Sequence, residues 1–135
     1  MDVSVIIPIY KGNGYIESLL NKIEKNYQES QKEIEVIFVN DYPDEEIIVG
    51  SQHDFPIRII NNEMNQGIHQ TRINGLKKAL GKYILFLDSD DWLEPESLQI
   101  LYTQSSDECP LIYYGFRSYF GEGDFIVNIH GARHS

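Results

Sequence analysis

Three carboxylates, at Asp88, Asp90 and Asp91, fall within four positions directly after an apolar run. Like charges this close repel one another, and burying them is costly unless a cation compensates. The chain has a formal net charge of −10 and so has no general surplus of cations for that purpose. One interpretation is a solvated acidic turn in which Asp91 helps to cap a following helix. The other is a site for Mg²⁺ or Mn²⁺, since Asp88 and Asp90 are two apart on an extended segment and point the same way.

The elements that must position this cluster alternate between strands and helices. Apolar, β-branched runs predict strands at Val3 to Ile9, Ile34 to Val39, Pro56 to Ile60 and Ile84 to Leu87. Apolar spacing and helix signals predict helices at Tyr15 to Tyr27, Glu45 to Val49, Gly67 to Leu80 and Pro95 to Gln104. A final hairpin is predicted from Cys109 to Phe120, the turn Gly121 to Asp124 and Phe125 to Ile129. This alternation indicates an α/β fold with a mostly parallel sheet flanked by helices.

Several local signals mark where these elements end. Pro8 cannot donate to a ladder and predicts the end of pairing for the first strand. Asn13 is a candidate N-cap, and Gly81 predicts a left-handed helix stop behind two lysines. The apolar face of the helix from Gly67 to Leu80 is predicted to contain Ile73, Leu76 and Leu80.

Polar or special residues follow each of the four early strands. They are Pro8 to Asn13, Asn40-Asp41, Asn61-Asn62 and Asp88 to Asp91. The carboxyl ends of parallel strands share one edge of a sheet, and ligands of such sheets bind there. This placement favours the metal interpretation. Asp41 could accept hydrogen bonds from a base or sugar or form an Asx turn, and Arg72 could reach a phosphate or be solvated.

Composition excludes several classes. The chain has 135 residues, which suits a single domain, and its acidic balance argues against non-specific binding to nucleic acid or anionic lipid. Its one cysteine, Cys109, allows no internal disulfide and fits a reducing compartment. The longest apolar runs are about five residues, against the roughly 20 that span a bilayer, so no transmembrane segment is predicted. The first residues have no basic region or long apolar stretch, which argues against a signal peptide.

Other ligand-binding motifs do not fit the sequence. Leu93 and Gln99 stand where an EF-hand would need glycine and glutamate, and no Walker A sequence is present. The run from Gly12 to Glu17 begins like a dinucleotide fingerprint, but Glu17 replaces the third glycine and would bring a negative charge near a pyrophosphate. A dinucleotide-dependent oxidoreductase is therefore a weak alternative.

Several segments together resemble family 2 glycosyltransferases over about residues 3 to 101. They are Val3 to Tyr10, Val39 to Asp41, Asn65 to Gly67, Thr71 to Leu76, Ala79 to Asp91 and Glu94-Pro95. The resemblance implies the GT-A fold, with a Rossmann-like nucleotide-sugar-binding half at residues 1–104 and the start of an acceptor-side half at residues 105–135. It implies transfer of a sugar from a nucleotide-diphosphate donor, with a UDP-sugar favoured, to an unknown glycan or lipid-linked acceptor. Surface polysaccharide synthesis in the cytoplasm, free or peripheral at the inner membrane face, is the implied setting.

The resemblance also implies a role for individual residues. Pro8 and Tyr10 would lie against the nucleotide base, Asp41 would hold the base, and Arg72 would support base or phosphate binding. Asp88 and Asp90 match the family's Asp-x-Asp motif. Asp88 would face the ribose or the metal, and Asp90 would bind the Mn²⁺ or Mg²⁺ that holds the diphosphate.

This chain departs from the family pattern in two ways. Tyr42-Pro43-Asp44 stands where the family usually has Gly-Ser after Asn-Asp, which predicts a stiffer loop and leaves the donor preference open. In the family, the general base is a carboxylate further downstream, in the acceptor half. No general base is therefore identified in this chain, which is expected to be a truncated form of the fold. Asp107, Glu108, Glu122 and Asp124 are candidates only by default. The alternative function is a non-catalytic nucleotide-sugar-binding or interaction module.

Overall fold

The computed structural model describes residues 1–30 and 32–88 together with the backbone of residues 111–118 and 125–133. Six strands and two helices lie in this part of the chain. They are β1 (Val3–Ile9), α1 (Asn13–Ser30), β2 (Ile34–Asn40), β3 (Ile57–Asn61), α2 (Ile68–Lys78), β4 (Tyr83–Phe86), β5 (Leu111–Ser118) and β6 (Phe125–Arg133). The predicted helix at Pro95 to Gln104 and the predicted turn at Gly121 to Asp124 lie outside the described residues.

The strands form one sheet in the order β3-β2-β1-β4-β6-β5. β1 lies at its centre, where Val5 pairs with Val36 of β2 on one side and with Leu85 of β4 on the other. These pairings and that of β2 with β3 are parallel, whereas β6 pairs antiparallel with both β4 and β5. The prediction of a mostly parallel sheet is confirmed. β6 continues to Arg133, beyond the predicted Ile129.

Helices cover both faces of the sheet, which explains why the central strands are apolar throughout. Every residue of β1 is buried. Its odd-numbered residues pack with one face of α1 in a cluster that includes Ile16, Leu20 and Phe38. Its residue Ile6 packs on the opposite face with Ile37, Val39 and Ala79. A strand buried on both sides has no polar face to alternate with, so its sequence is a continuous apolar run.

Helix α2 packs against the sheet through its smallest residues. Its buried residues are Thr71 and Gly75, while Ile73 and Leu80 are 44% and 69% exposed. The predicted apolar face was therefore wrong for Ile73 and Leu80. The cause is close approach: a Cβ on Gly75 would lie 2.5 Å from Ile6 Cγ2. At this position no larger side chain fits unless Ile6 or Val39 shifts.

Gly81 likewise lets the backbone pass close to β1. The prediction that it forms a left-handed helix stop was wrong. The helix ends at Lys78, and its C-cap Ala79 is extended. Among the described glycines only Gly67 has a positive φ. Gly81 instead donates from its N–H to Ser4 Oγ at 2.8 Å, and a Cβ there would lie 2.5 Å from Ser4 N.

A buried carboxylate fastens the end of α2 to the sheet. Glu35 is 1% exposed and accepts hydrogen bonds from the Ser4 hydroxyl and from Leu80 N, both at 2.6 Å. Arg58 donates to it from Nε at 3.1 Å and from Nη2 at 2.9 Å, and also donates to Lys78 O. These hydrogen bonds offset the free-energy cost of burying the Glu35 carboxylate.

The segment from Glu45 to Val49 is not helical, so that prediction was wrong. Two asparagine side chains take the backbone groups that a helix would use. Asn13 donates to Glu46 O at 2.7 Å and accepts from Ile48 N at 3.2 Å, and Asn40 donates to Glu45 O at 2.8 Å. Such bonds compete with local helix formation. Asn13 is the first residue of α1, and its side chain bonds to this loop. It is therefore not the predicted N-cap.

Other boundaries also differ from the predictions, most of them by one or two residues. β1 pairs with β2 through Ile9, beyond Pro8, whereas its pairing with β4 ends at Ile6. α1 runs from Asn13 to Ser30 and is thus longer than predicted at both ends. No helix in the described part of the chain has the length and apolar character needed to cross a membrane.

Candidate functional site

A pocket lies at the carboxyl edge of the sheet, where β1, β2 and β4 end. Its volume is about 360 Å³. Four of the residues predicted for the site, Pro8, Tyr10, Asp41 and Asp88, line it together. They come from three separate strand ends, which a parallel arrangement brings to one edge. Asp90, predicted as a metal ligand, lies outside the described residues.

Asp41 is buried directly after β2, with 5% exposure. Its Oδ1 accepts from Asn62 Nδ2 at 2.9 Å and from Gln66 N at 2.7 Å, and its Oδ2 accepts from Gly67 N at 3.0 Å. Burial on its own would raise the pKa of Asp41. The hydrogen bonds from Gln66, Asn62 and Gly67 more than offset this and hold that pKa below its ordinary value. The carboxylate is thus ionised at neutral pH and anchors the segment that leads into α2.

Asn40, the neighbour of Asp41, forms the Asx turn that was the alternative for Asp41. Asn40 Oδ1 accepts from Tyr42 N at 3.0 Å, and its Nδ2 also donates to Asn61 Oδ1 at 3.1 Å. The turn therefore belongs to the last residue of β2. Asp41 is left to face the pocket and the start of α2.

Arg72, the other described residue predicted for the site, does not itself line the pocket but forms an ion pair with Asp88, which does. Arg72 Nη2 donates to Asp88 Oδ1 at 3.0 Å, and the two side chains are 33% and 43% exposed. A partly exposed pair of this kind adds little stability. The Nε of Arg72 is buried and has no acceptor among the described residues. A buried N–H without a partner costs about 1–3 kcal/mol, which an anionic ligand oxygen would recover.

Tyr10 lines the pocket and contacts a second aromatic ring and a cation. The rings of Tyr10 and Tyr42 meet edge to face with centroids 5.4 Å apart. The ammonium of Lys11 lies 4.8 Å from the Tyr42 centroid and 5.5 Å from that of Tyr10. Tyr10 is 54% exposed, so its ring is available for stacking. Tyr42 does not itself line the pocket, but its ring packs against that of Tyr10, which does.

The pocket also contains residues for which the sequence predicted no role. They are Asn65, Gly67, Ile68 and Thr71, with Ile9 from β1. Gly67 has a φ of +86°, a left-handed conformation that glycine adopts readily, and this bend lets its N–H reach Asp41. The Thr71 hydroxyl donates to Gly67 O at 2.7 Å. In the sequence, the run Asn65-Gln66-Gly67 directly before a helix could have indicated this loop.

Asp88 is the described residue best suited to hold a cation, since its carboxylate lines the pocket and offers hard oxygen ligands. Within residues 1–30 and 32–88, no group of three or more histidine, cysteine, aspartate or glutamate side chains could hold a metal. The default candidates for a general base, Asp107, Glu108, Glu122 and Asp124, lie outside the described residues.

Glu17, which disfavoured the dinucleotide fingerprint, holds a loop in the structure. Its Oε1 accepts from Gly50 N at 2.7 Å. Hydrogen bonds from the Ser51 side chain and from Gly50 lower the pKa of Glu17. This carboxylate is therefore charged at neutral pH, which still speaks against a pyrophosphate at the start of α1.

Comparison with protein families gives a match over nearly the whole chain. The sequence model described as glycosyl transferase family 2 matches residues 4–133. The glycosyltransferase GlyA of Streptococcus pneumoniae serotype 4 is 33% identical over 137 aligned residues, which cover 96% of this chain and 19% of GlyA. Three curated relatives are matched over 19% to 34% of their own lengths. The chain thus spans at most about a third of these relatives.

Comparison with solved structures gives the same picture. Residues 1–349 of TarS from S. aureus, in complex with UDP-GlcNAc, match with a TM-score of 0.70 and 26% identity, over 91% of this chain and 36% of that one. The mannosyltransferase PcManGT from Pyrobaculum calidifontis, in complex with GDP-Man and Mn²⁺, matches with a TM-score of 0.59 and 19% identity, over 76% of this chain and 32% of that one. At that identity the second match shows the fold alone.

Proposed function

The chain belongs to glycosyl transferase family 2, and from this membership we propose that it binds the nucleotide-diphosphate sugar in a sugar-transfer reaction. The resemblance to family 2 glycosyltransferases and the prediction of the GT-A fold are confirmed. Because the chain spans only part of its relatives, the complete reaction is itself proposed: transfer to a glycan or lipid-linked acceptor in surface polysaccharide synthesis.

The observation that carries this proposal is the shared pocket of Pro8, Tyr10, Asp41 and Asp88. Its volume of about 360 Å³ lies within the roughly 300–1,000 Å³ of small-molecule sites. The exposed ring of Tyr10 gives a base a stacking surface, and Asp41 closes that end of the pocket. We favour a UDP-sugar as the donor, and the UDP-GlcNAc complex of TarS supports this choice.

A divalent cation, Mn²⁺ or Mg²⁺, is the proposed cofactor, with Asp88 and Asp90 as its ligands. The Asp88 carboxylate fits this role because it is an oxygen donor on the pocket surface. When bound, such a cation would neutralise the negative charge that develops on the leaving nucleoside diphosphate. Arg72 would keep Asp88 oriented through its Nη2, and its Nε–H, which has no acceptor among the described residues, would donate to an oxygen of the ligand.

Titration calorimetry with UDP, with and without Mn²⁺, tests the proposal. We expect binding heat with the metal and a loss of it with EDTA, with Asp88→Ala and with Asp90→Ala. Asp54→Ala is the matched control, because Asp54 is exposed just before β3 at the amino edge of the sheet. Absence of metal-dependent heat with UDP and with other nucleoside diphosphates would overturn the proposal.

A sugar-transfer assay on the native protein separates a transferase from a non-catalytic binding module. Release of UDP that depends on an acceptor supports the first, and binding without release supports the second. The division into halves at residues 104 and 105 stays a prediction, since both residues lie outside the described part of the chain. The cytoplasmic location also stays a prediction.

A further inference from the structure

Lys11 has an unusual backbone conformation at the edge of the pocket. Its φ is +54°, and among the described residues it is the one non-glycine residue with a positive φ. This left-handed region suits glycine or asparagine and disfavours a long side chain. Such outliers persist where the surrounding structure imposes them, and they cluster at binding sites. Lys11 directly follows Tyr10, whose ring lines the pocket.

The ammonium of Lys11 contacts the aromatic rings of Tyr10 and Tyr42 instead of a carboxylate. The chain contains 21 acidic residues against 11 lysines and arginines, yet Lys11 forms no ion pair with a described carboxylate. Its ammonium lies 4.8 Å from the centroid of Tyr42 and 5.5 Å from that of Tyr10. Asp41 and Tyr42 directly follow β2, so the rings hold this cation on the β2 side of the pocket. Asp88 lies at the end of β4, on the other side of β1.

Several other polar groups on the β2 side make internal hydrogen bonds, and Asn65 donates from its Nδ2 to Asp41 O at 3.3 Å. Asp41 accepts from Asn62, Gln66 and Gly67. Thr71 donates to Gly67 O and accepts from Asn62 Nδ2 at 3.2 Å. An ammonium has three N–H donors, and a contact with an aromatic face leaves some of them for a ligand. Lys11 does not itself line the pocket, but its ammonium is a cationic donor held beside Tyr10, which does.

We propose that Lys11 determines base specificity, by donating a hydrogen bond from its ammonium to a carbonyl oxygen of the nucleobase. The inference rests on the proposed function, because it assigns a partner to the base of the same nucleotide. The oxygen in question is that at position 4 of uracil, where cytosine presents an amino group, because both bases carry a carbonyl at position 2. An ammonium opposite an amino donor is left without an acceptor, so the site prefers UDP to CDP.

Calorimetry on Lys11→Asn tests this inference with UDP, CDP and uridine as ligands. Asparagine tolerates the left-handed backbone, so the variant removes the ammonium without adding strain. Loss of a hydrogen bond from a charged donor should weaken UDP and uridine by the same factor, about tenfold or more, and leave CDP nearly unchanged. Lys11→Arg, which keeps a cationic donor, should retain most of the preference for UDP.

Lys82→Asn is the matched control. It removes the same charge, and the Lys82 ammonium also lies over a ring, 5.6 Å from the centroid of Tyr83. That residue precedes β4 at the amino edge of the sheet, so no ligand affinity should change. A melting curve verifies the fold of each variant.

The possible results separate the inference from the function on which it rests. If Lys11→Asn weakens UDP but not uridine, the ammonium contacts phosphate and the assignment to the base is wrong. If wild type binds UDP and Lys11→Asn binds it equally well, Lys11 has no part in recognition and the proposed function stands. If wild type binds no nucleoside diphosphate, the proposed function fails and this inference fails with it.

Discussion

Replacing Asp41 by asparagine should destabilise the protein by about 2–3 kcal/mol at neutral pH. The carboxylate accepts from Asn62 Nδ2, Gln66 N and Gly67 N at 2.7 to 3.0 Å. An asparagine oxygen can keep the first two bonds, but its amide nitrogen then faces the N–H of Gly67. One charge-assisted bond is lost, which is worth about 1.5–3 kcal/mol, and a donor at the start of α2 is left without its acceptor.

The loss should depend on pH in a defined direction. The pKa of Asp41 is lowered in the folded state, against roughly 3.9 in an unfolded chain. The stabilisation by Asp41 is therefore complete above about pH 4 and is lost as the pH falls through the lower, folded pKa. The difference in unfolding free energy between wild type and Asp41→Asn should be largest at neutral pH and should shrink in acid.

Urea unfolding followed by circular dichroism measures both effects. Asp44→Asn is the matched control, because it makes the same change of charge at an exposed residue three positions away and should shift stability by less than about 0.5 kcal/mol. Two results would refute the reasoning. One is a stability of Asp41→Asn equal to that of Asp44→Asn. The other is a difference from wild type that stays constant below pH 4, over the range in which both proteins remain folded.

Two further substitutions test the contacts between α2 and the sheet by the same urea assay. Gly75→Ala should cost about 1–3 kcal/mol of stability, because the new Cβ would lie 2.5 Å from Ile6 Cγ2. By contrast, the new Cβ in Gly14→Ala has no atom within 4 Å, so this substitution should stabilise α1 by about 0.5–1 kcal/mol. Equal effects of the two substitutions would contradict the close packing. Glu35→Gln should cost about 2–3 kcal/mol, since it weakens the buried acceptor of Arg58, and a double-mutant cycle with Arg58→Ala should show coupling well above zero.

The sheet and the edge at which the predicted residues meet were predictable, because both follow from local patterns in the sequence. The continuous apolar runs of β1 and β2 require cover on both faces, which only a sheet between helices provides. Parallel pairing then brings the residues after each strand to one edge, and Pro8, Asp41 and Asp88 do line one pocket. Their roles toward a ligand stay predictions until the binding experiments are done.

The features that could not be predicted depend on contacts between distant parts of the chain. The segment from Glu45 to Val49 has helical spacing, but Asn13 and Asn40 take its backbone groups. The apolar spacing of α2 indicated Ile73 and Leu80 as buried, although the sheet allows only a glycine at the point of closest approach. In both cases local propensity was overridden by tertiary contacts, which a sequence pattern does not contain.

The same long-range contacts determine the geometry of the pocket. Gly75 lets α2 lie close to β1, and the bonds from Gln66 and Gly67 to Asp41 fix where that helix begins. Only with both constraints does Arg72, on the first turns of α2, reach Asp88 at the end of β4. Under the proposed function, Asp41 would thus contribute to the side proposed for the phosphates through the helix it anchors, as well as to the side proposed for the base. A change at Asp41 should accordingly weaken binding of the diphosphate as well as of the base, which distinguishes it from a change at Lys11.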